Sequence, residues 1–476
     1  MKKLILALSL GLLLPLSACG SNSGNGGQNT VFSKFDGKLE NGAVLRILEN
    51  DTAVKQGYLK ELIAGFNEKY KEYNITAVDA NMDEYSDLEN DGPYGYGPDV
   101  LYQANDSLMK YVYGKHIMPI PVVDRLECYS KVDQNAWNAY KSTVSGTEYT
   151  FGVPINIQAS LMYYREDLLP ENNDKNNNGI PDMLENWSNL YKYSKEIHEN
   201  NSSKYGYMKS LDDFYFASGY LFSYGGYIFG NNGKDSNDIG LDKSEAYKGV
   251  KVLRQLASIM NESCIDNSVT LNQYSKLAQG EYFATMTTPD VKSLFLDEMS
   301  LEYQKSGLSK SEADKKANDN LKQIAVPKLP ASGDLNDTTG EMIDMKTMGG
   351  INGYAISSYT KYPNAALAFL DYASSYEMVK RRHEILGIAT CREDLANEGD
   401  SLSKTLFTQL KDRKIEIMPS IRETSQIWTP AGTLCKDIAN DPYRSISEQK
   451  YLTDDSIKNK LSEVCKQIYE AIHALQ

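Results

Sequence analysis

The sequence predicts an α/β protein with more than one domain. Three observations support this prediction: the length of 476 residues, a hydrophobic share of 41%, and segments in which strand-like and helix-like patterns alternate. This length exceeds that of most single domains, and the apolar content suffices to fill large cores. Strands that alternate with helices are typical of sheets with parallel strands. We therefore expect two α/β domains.

The N-terminus has the pattern of a bacterial secretory signal peptide. Lys2 and Lys3 precede an apolar run over residues 4–16, which is too short to span a bilayer. The run ends in Leu-Ser-Ala-Cys-Gly, with the cysteine at position 19. This motif resembles the lipobox, which implies that residues 1–18 are removed and that Cys19 is diacylated. A Gly-, Ser- and Asn-rich tether follows, and we assign residues 19–38 to the lipidated cysteine and this tether.

These features place the protein on the outer face of the bacterial cytoplasmic membrane, held there by lipid. The formal charge of −14 disfavours nucleic-acid binding, which needs a basic surface. Thirty-four tyrosines offer flat apolar faces and hydroxyl groups, a combination that suits polar ligands such as sugars. The alternative is a tyrosine-rich surface without a ligand.

For the first domain, the sequence predicts a strand at 43–48, an amphipathic helix with apolar residues from Leu59 to Tyr70, and strands at 75–78 and 99–102. The strand–helix–strand order predicts parallel pairing. Ligands of such sheets bind beyond the strand C-termini, which here are 49–51 and 103–106. Plain connecting loops would look the same.

Later segments continue the alternation. We predict helices at 247–260 and 364–378, a strand at 281–287, and a long amphipathic helix from Asp455. No Cys-x-x-Cys pair occurs among six cysteines, so neither a zinc nor a redox site is predicted. A bridge between Cys391 and Cys435 is one open pairing, and Cys465 lies on the apolar face of the last helix.

Residues 174–185 match the calcium loop of EF-hands over all twelve positions. Six residues would supply oxygen ligands to Ca²⁺: Asp174, Asn176, Asn178, Ile180 through its carbonyl, Asp182 and Glu185. Pro181 lacks the N–H that paired EF-hand loops exchange, so the site is predicted to be solitary and structural. The alternative is an Asn-rich turn without a metal.

Several further motifs occur in an order that is found in one known family. They are Gly97-Pro98-Asp99-Val100, residues 154–158, residues 161–170, Gly225-Gly226-Tyr227, residues 349–352, residues 416–419 and Trp428. Together they resemble extracellular solute-binding proteins of the maltose/maltodextrin-binding type. The resemblance covers the chain from about Leu39 onward.

The resemblance implies a two-lobed periplasmic-binding-protein-like fold of type II, with the ligand cleft between the lobes. It implies an N-terminal lobe of residues 39–157 plus 345–397 and a C-terminal lobe of residues 158–344 plus 398–476. The expected ligand is an oligosaccharide, with an α-glucan such as maltodextrin as the leading substrate. The expected partner is an ABC-type membrane permease, and the protein itself is expected to be a monomer without enzymatic activity.

The resemblance also supplies candidate ligand-binding residues. Those expected to bond sugar hydroxyls or to stack on sugar faces are Glu49, Asn50, Asp51, Tyr102, Gln103, Asp106, Gln158, Asp213, Tyr215, Asp290 and Trp428. Tyr215 and Trp428 are the expected stacking residues, although Tyr215 lies in an aromatic segment that a core would equally use. Asp290 stands where the family has a further tryptophan, and Gln103 where it has another, which argues against maltose itself.

Other functions remain open. The protein could bind a different oligosaccharide, or hold glucan at the cell surface without transport. Hydrolase signatures such as Gly-x-Ser-x-Gly and His-Glu-x-x-His are absent from the sequence. A glycosidase needs only two carboxylates in a cleft, and an acidic chain can place such a pair in any loop.

Overall fold

The structure is a computed structural model that describes residues 34–81, 85–262, 268–398 and 401–474. The predicted signal peptide, the lipidation site at Cys19 and most of the tether lie outside these residues. Within the described ranges, no helix is long and apolar enough to cross a membrane.

Most strands belong to two separate sheets. In chain order they are β1 (Val44–Leu48), β2 (Thr76–Asp79), β3 (Val100–Ala104), β4 (Ile117–Met118), β5 (Lys141–Val144), β6 (Thr147–Thr150), β7 (Val153–Ala159), β8 (Leu161–Arg165), β9 (Tyr205–Tyr207), β10 (Asp235–Ile239), β11 (Tyr282–Thr287), β12 (Leu321–Ile324), β13 (Leu329–Pro330), β14 (Met342–Ile343), β15 (Thr347–Ser357) and β16 (Ile415–Ile417). The larger sheet has the order β16-β15-β3-β1-β2, with β4 and β7 also paired to β15. The smaller sheet has the order β12-β8-β11-β9.

Helices cover the faces of both sheets. Those of nine residues or more are Tyr58–Lys69, Asn105–Tyr113, Trp187–Asn200, Phe214–Ser223, Ala246–Ala257, Ser268–Ala278, Lys292–Lys305, Lys310–Asn320, Pro363–Ala373, Tyr376–Leu386, Ser401–Lys411, Trp428–Asn440 and Asp454–His473. Shorter helices include Asp51–Lys55, Leu88–Asp91, Gln134–Asn138 and Glu393–Glu398.

The parallel strands predicted for the first domain are confirmed. β1 pairs in parallel with β2 and with β3, so the C-terminal ends of β1 and β3 lie at one edge of the larger sheet. The helix Tyr58–Lys69 between β1 and β2 buries Leu59, Leu62 and Phe66, the apolar stripe that its sequence shows. This edge therefore presents the polar segments after Leu48 and Ala104.

The chain crosses between the sheets three times within the described residues. β7 belongs to the larger sheet and β8, which begins two residues later, to the smaller one. The chain returns with β15, and it leaves again after β16 to form the helices Trp428–Asn440 and Asp454–His473, which pack on the helix Ala246–Ala257. Because the sheets are joined by these short crossings, the molecule has two lobes with a cleft between them.

The structure departs from the sequence analysis at two places in the C-terminal half. The helix expected at 364–378 is two helices, since the chain turns at Ser374 and Ser375 before Tyr376–Leu386 begins. The family resemblance predicts that the segment after 398 belongs to the second lobe, but the helix Ser401–Lys411 packs on β7, and β16 pairs in parallel with β15. Hydrogen bonding to the crossover strands thus holds this segment on the larger sheet.

The cysteines do not form the bridge left open by the sequence. Cys128, Cys391, Cys435 and Cys465 are free and buried, so Cys391 and Cys435 are not bonded to each other. Cys391 follows the isolated pairing with β7 in the first lobe, whereas Cys435 lies in the helix Trp428–Asn440 of the second. Burial raises the pKa of the Cys435 thiol, which keeps it protonated.

Candidate ligand-binding site

A cavity of about 280 Å³ opens between the lobes, where the parallel strands of the first lobe end. Its walls are Asn50, Asp51, Thr52, Tyr102, Asn156, Ile157, Gln158, Pro289, Asp290, Asn352, Leu386 and Ile388. Pro289 and Asp290 come from the loop after β11 in the second lobe, and the other residues come from the first lobe or the crossover strands. A ligand in this cavity therefore touches both lobes at once.

Five of the predicted ligand residues line this cavity: Asn50, Asp51, Tyr102, Gln158 and Asp290. Asn50 caps the helix Asp51–Lys55, because its Oδ1 accepts a hydrogen bond of 2.8 Å from the Ala53 N–H. The cap leaves the Asn50 amide nitrogen free to donate. The exposed Asp51 carboxylate, whose Oδ2 lies 3.7 Å from Lys55 Nζ, can accept further hydrogen bonds. The end of β1 thus offers both kinds of hydrogen-bonding group to a ligand.

A directed chain of hydrogen bonds spans the lobes across the cavity. Asn352 Nδ2 donates to Gln158 Oε1 at 3.1 Å, and Gln158 Nε2 donates to Asp290 Oδ1 at 3.4 Å. Asp290 can only accept when ionised, so it fixes the orientation of both amides. At the start of this series of hydrogen bonds, Asn352 Oδ1 remains as an acceptor without a donor.

Three buried acceptors near this chain have no hydrogen-bond partner among the described residues. They are Asn352 Oδ1, which belongs to the cavity wall, and Gln103 Oε1 and Asp106 Oδ1, whose residues were predicted to bind the ligand but do not line the cavity. Burial raises the pKa of the Asp106 carboxyl, because the loss of water disfavours its charged form more than nearby Lys110 and backbone N–H groups stabilise it. Unpaired buried acceptors are costly, so this arrangement favours a ligand that brings hydrogen-bond donors.

Tyr215 lies beside the cavity and does not line it. Its hydroxyl donates to the Gln158 carbonyl oxygen at 3.2 Å and lies within electrostatic range of the carboxylates of Asp290, Asp213 and Asp106. Burial and these negative charges raise the pKa of Tyr215, which keeps the hydroxyl protonated as a donor. Asp213 caps the helix that begins at Phe214, and its Oδ1 accepts from the Tyr215 N–H at 3.0 Å.

Trp428 is half-buried at the start of its helix and lies outside the cavity wall. Its ring packs edge-on against Phe214, with 6.5 Å between the ring centroids. Phe214 immediately precedes Tyr215, so the indole is placed next to the Tyr215 side of the cleft. Its role as a stacking residue stays a prediction.

Glu49 was expected to bond sugar hydroxyls, and the structure places it differently. Its side chain is fully buried behind the cavity, where both carboxylate oxygens accept hydrogen bonds from Arg382 at 2.6 and 3.1 Å. Tyr354 donates a further bond to the same carboxylate. No oxygen of Glu49 faces the cavity, so this residue supports the wall and does not contact a ligand there.

Several residues of the cavity wall are not among the ligand-binding residues that the sequence predicts. Asn156 lies on β7 and Asn352 on β15, the two crossover strands, and both were part of the family motifs without being chosen. Thr52 has no sequence pattern that marks it as a ligand residue. Leu386 and Ile388 have none either, and they come from a part of the chain far from the other wall residues. Among the described residues that line the cavity, none is Lys, Arg or His.

The twelve-residue loop at 174–185 has the hydrogen bonding of a tight polar turn. Gly179 has a φ of +82°, and its N–H donates to Asp174 Oδ2 at 2.8 Å. Glu185 Oε1 accepts bonds from the amides of Asn176 and Asn178, at 2.5 and 2.8 Å. In this way the side chains of four predicted ligands, at the first, third, fifth and twelfth loop positions, point inward.

The remaining predicted acid ligand, Asp182, is bonded to Lys175, the second residue of the loop. Asp182 Oδ1 accepts from the Lys175 N–H at 3.0 Å, and its Oδ2 lies 3.5 Å from Lys175 Nζ. In the described part of the chain, no three His, Cys, Asp or Glu side chains form a group that could hold a metal ion. The donor set consists of carboxylate, amide and carbonyl oxygens, the atoms that Ca²⁺ prefers.

The two-lobed fold and its cleft recur in proteins of known structure. The maltose-binding periplasmic protein of Listeria monocytogenes, solved in complex with maltose, superposes with a TM-score of 0.68 at 20% identity, over 91% of this chain and 98% of that one. The chain is 24% identical to a galactooligosaccharide-binding protein of Bacillus subtilis, over 96% of this chain and 98% of that protein.

Two further matches have similar identity. A maltodextrin-binding protein of Bacillus subtilis is 26% identical over 92% of both chains, and a maltooligosaccharide ABC transporter solute-binding lipoprotein of Streptococcus pneumoniae is 23% identical over 66% of this chain. Residues 51–380, more than half of the sequence, match the family model described as bacterial extracellular solute-binding protein. With its two lobes and the cavity between them, the chain belongs to the family of bacterial extracellular solute-binding proteins.

Proposed function

We propose that this protein captures a neutral oligosaccharide in the cleft and delivers it to an ABC-type permease. The observation that carries the proposal is the unpartnered acceptor of Asn352 in the cavity wall, together with those of Gln103 and Asp106 outside the wall. None of the described residues that line the cavity is cationic. Sugar hydroxyls supply the donors that these acceptors lack. Carboxylated or phosphorylated sugars would be repelled by the Asp51 and Asp290 carboxylates, of which only Asp51 has a nearby cation among the described residues, Lys55 at 3.7 Å.

Cleft closure follows from the way the cavity is shared. Asp290 belongs to the second lobe, whereas Asn50, Asp51 and Tyr102 belong to the first, so the ligand gains its full set of contacts only when the lobes are close together. A ligand that bonds both lobes stabilises the closed arrangement over the open one by those additional contacts.

An α-glucan of the maltodextrin type is the leading ligand, and a galacto-oligosaccharide is the second candidate. Names of relatives support both, at nearly equal identity. One observation keeps the second candidate open: Tyr102 supplies the only aromatic ring among the described residues that line the cavity. Stacking on sugar faces therefore contributes little there, and hydroxyl geometry decides the specificity.

The remaining parts of the proposal concern the membrane and catalysis. The lipobox-like motif at Cys19 and the name of the Streptococcus pneumoniae relative support a lipid anchor on the outer face of the membrane and an ABC-type permease as partner. The membership in a binding-protein family supports a protein without enzymatic activity. Asp51 and Asp290 are the two carboxylates that a glycosidase would use, so oligosaccharide incubated with the protein should remain uncleaved.

The proposal is tested by isothermal titration calorimetry of the soluble form that starts at Gly20. Maltotriose, longer maltodextrins, galacto-oligosaccharides and an oligogalacturonate are titrated separately. We expect saturable binding of one neutral series and none of the oligogalacturonate. Tight binding of the acidic sugar, or no binding of any neutral oligosaccharide in a broad panel, would contradict the proposal.

We further propose that residues 174–185 bind one Ca²⁺ ion that stabilises the fold. Calcium at one hundred times its Kd adds about 2.7 kcal/mol to the free energy of unfolding. Because no residue of this loop lines the cavity, chelation should lower the melting temperature by a few degrees and change sugar affinity less than twofold.

The calcium prediction is checked by thermal unfolding in CaCl₂ and in EDTA. Glu185→Ala should abolish the difference between the two curves. Glu171→Ala, an exposed carboxylate outside the twelve residues, should retain the difference. Identical curves for the unmodified protein in both buffers would rule out a stabilising calcium site.

A further inference from the structure

A buried ion pair lies directly behind the cavity. Arg382, on the helix Tyr376–Leu386, has no exposed side-chain surface, and neither has its partner Glu49. The pair is bidentate, and Tyr354 on β15 hydrogen-bonds to both members. Burying two charges is costly, so the contribution of this pair to stability does not by itself explain its presence.

The guanidinium group also contacts two residues of the cavity wall. Arg382 Nε donates to Asn156 Oδ1 at 2.9 Å, and the guanidinium carbon lies 3.9 Å from the centroid of the Tyr102 ring. The Tyr102 hydroxyl donates to the same Asn156 oxygen at 2.8 Å. Tyr102 and Asn156 are thus held in place by one planar group that donates from its edge and stacks on its face.

Each first-lobe segment of the cavity wall lies within a few residues of a member of this hydrogen-bond network in the sequence. Asn50, Asp51 and Thr52 directly follow Glu49. Ile157 and Gln158 follow Asn156 on β7, and Asn352 lies two residues before Tyr354 on β15. Leu386 lies one helical turn after Arg382 and packs into the same wall.

We propose that Arg382 is the positioning residue of the ligand site, which fixes Tyr102, Asn156 and the loop after β1 in the geometry that a ligand requires. The inference rests on the proposed function, since it assigns to Arg382 a role in oligosaccharide affinity. Arg382 acts through these residues and does not touch the ligand. A preorganised wall spares the ligand the entropy of ordering it.

The chain offers a matched control in Arg392. It is 1% exposed, lies in the same lobe and forms ion pairs with Glu127 at 2.5 Å and Asp394 at 2.8 Å. None of these three residues lines the cavity. Arg392→Met therefore removes a buried arginine whose side-chain hydrogen-bond and ion-pair partners do not line the cavity.

The two variants are compared by titration with the oligosaccharide that the unmodified protein binds, well below their melting temperatures. We expect Arg382→Met to weaken binding at least tenfold and Arg392→Met less than twofold, although both melt earlier. Equal losses of affinity in the two variants would overturn the proposal.

A double variant separates positioning from the cost of an unpaired charge. Glu49→Gln combined with Arg382→Met leaves no buried charge, so the melting temperature should recover in part relative to Arg382→Met alone. Affinity should stay low, because Tyr102 and Asn156 remain without their anchor. Recovery of affinity along with stability would show that Arg382 is merely structural.

Hydrogen exchange on the ligand-free protein keeps the test independent of the proposed function. Arg382→Met should speed exchange in β3 and in β7 around Asn156, whereas Arg392→Met should not. If the unmodified protein binds no oligosaccharide, the proposed function fails, and exchange alone decides whether Arg382 orders the wall. Unchanged exchange in Arg382→Met would overturn the positioning role.

Discussion

Asp106→Ala is expected to weaken oligosaccharide binding by roughly 10- to 100-fold without destabilising the free protein. A hydrogen bond from a ligand hydroxyl to a carboxylate is worth about 1.5–3 kcal/mol. In the free protein Asp106 Oδ1 has no partner among the described residues, and burial raises the pKa of its carboxyl. The substitution therefore removes a carboxylate that is unfavourable in the free protein, together with the hydrogen bond that we propose it makes to the ligand.

The raised pKa of Asp106 determines how both stability and ligand affinity should change with pH. Because the folded-state pKa of Asp106 is raised above its unfolded value, the folded protein binds this proton more tightly, and this group favours folding as the pH falls. Ligand affinity should change in the opposite direction, since a protonated carboxyl is a weaker acceptor. Acidification toward the raised pKa should weaken binding in the unmodified protein.

Calorimetric titration and thermal unfolding at several pH values check both parts of this prediction. Asp106→Asn is the matched control, because it keeps an acceptor oxygen and removes the charge. It should lose less affinity than Asp106→Ala and should lack the acid-dependent loss. A lower melting temperature with unchanged affinity in Asp106→Ala would show that the residue is structural.

Glu49→Ala is expected to lower the free energy of unfolding by about 3–5 kcal/mol. The substitution leaves the Arg382 guanidinium fully buried without a counter-ion, and removing one partner of a buried pair costs about this much. It also removes the acceptor of the Tyr354 hydroxyl. Stability is the property on which Glu49 should act most strongly.

Asp51→Ala is the control, since Asp51 lies two residues after Glu49 and its side chain is 92% exposed. We expect its free energy of unfolding to change by less than about 0.5 kcal/mol, as for most surface substitutions. Urea unfolding followed by circular dichroism measures both variants. Equal stability of Glu49→Ala and the unmodified protein would mean that the buried pair does not form.

The sequence by itself determined the arrangement of the first lobe and the place of the cleft. The apolar runs around 43–48, 75–78 and 99–102, with a helical segment between the first two, are sufficient to predict parallel strands. The C-terminal ends of the first and third runs do face the cavity. Asn50, Asp51, Tyr102 and Gln158 were found in this way or through the family motifs. Such local patterns are legible because each strand carries its own hydrophobic period.

Only the tertiary structure decided which polar groups are free to meet a ligand. Glu49 and Asp51 look alike in the sequence, but Glu49 is paired with Arg382, 333 residues along the chain, while Asp51 remains exposed. The chain of amides from Asn352 through Gln158 to Asp290 likewise joins three distant segments. A sequence records which side chains can form hydrogen bonds, whereas long-range packing determines which of those bonds are already made within the protein.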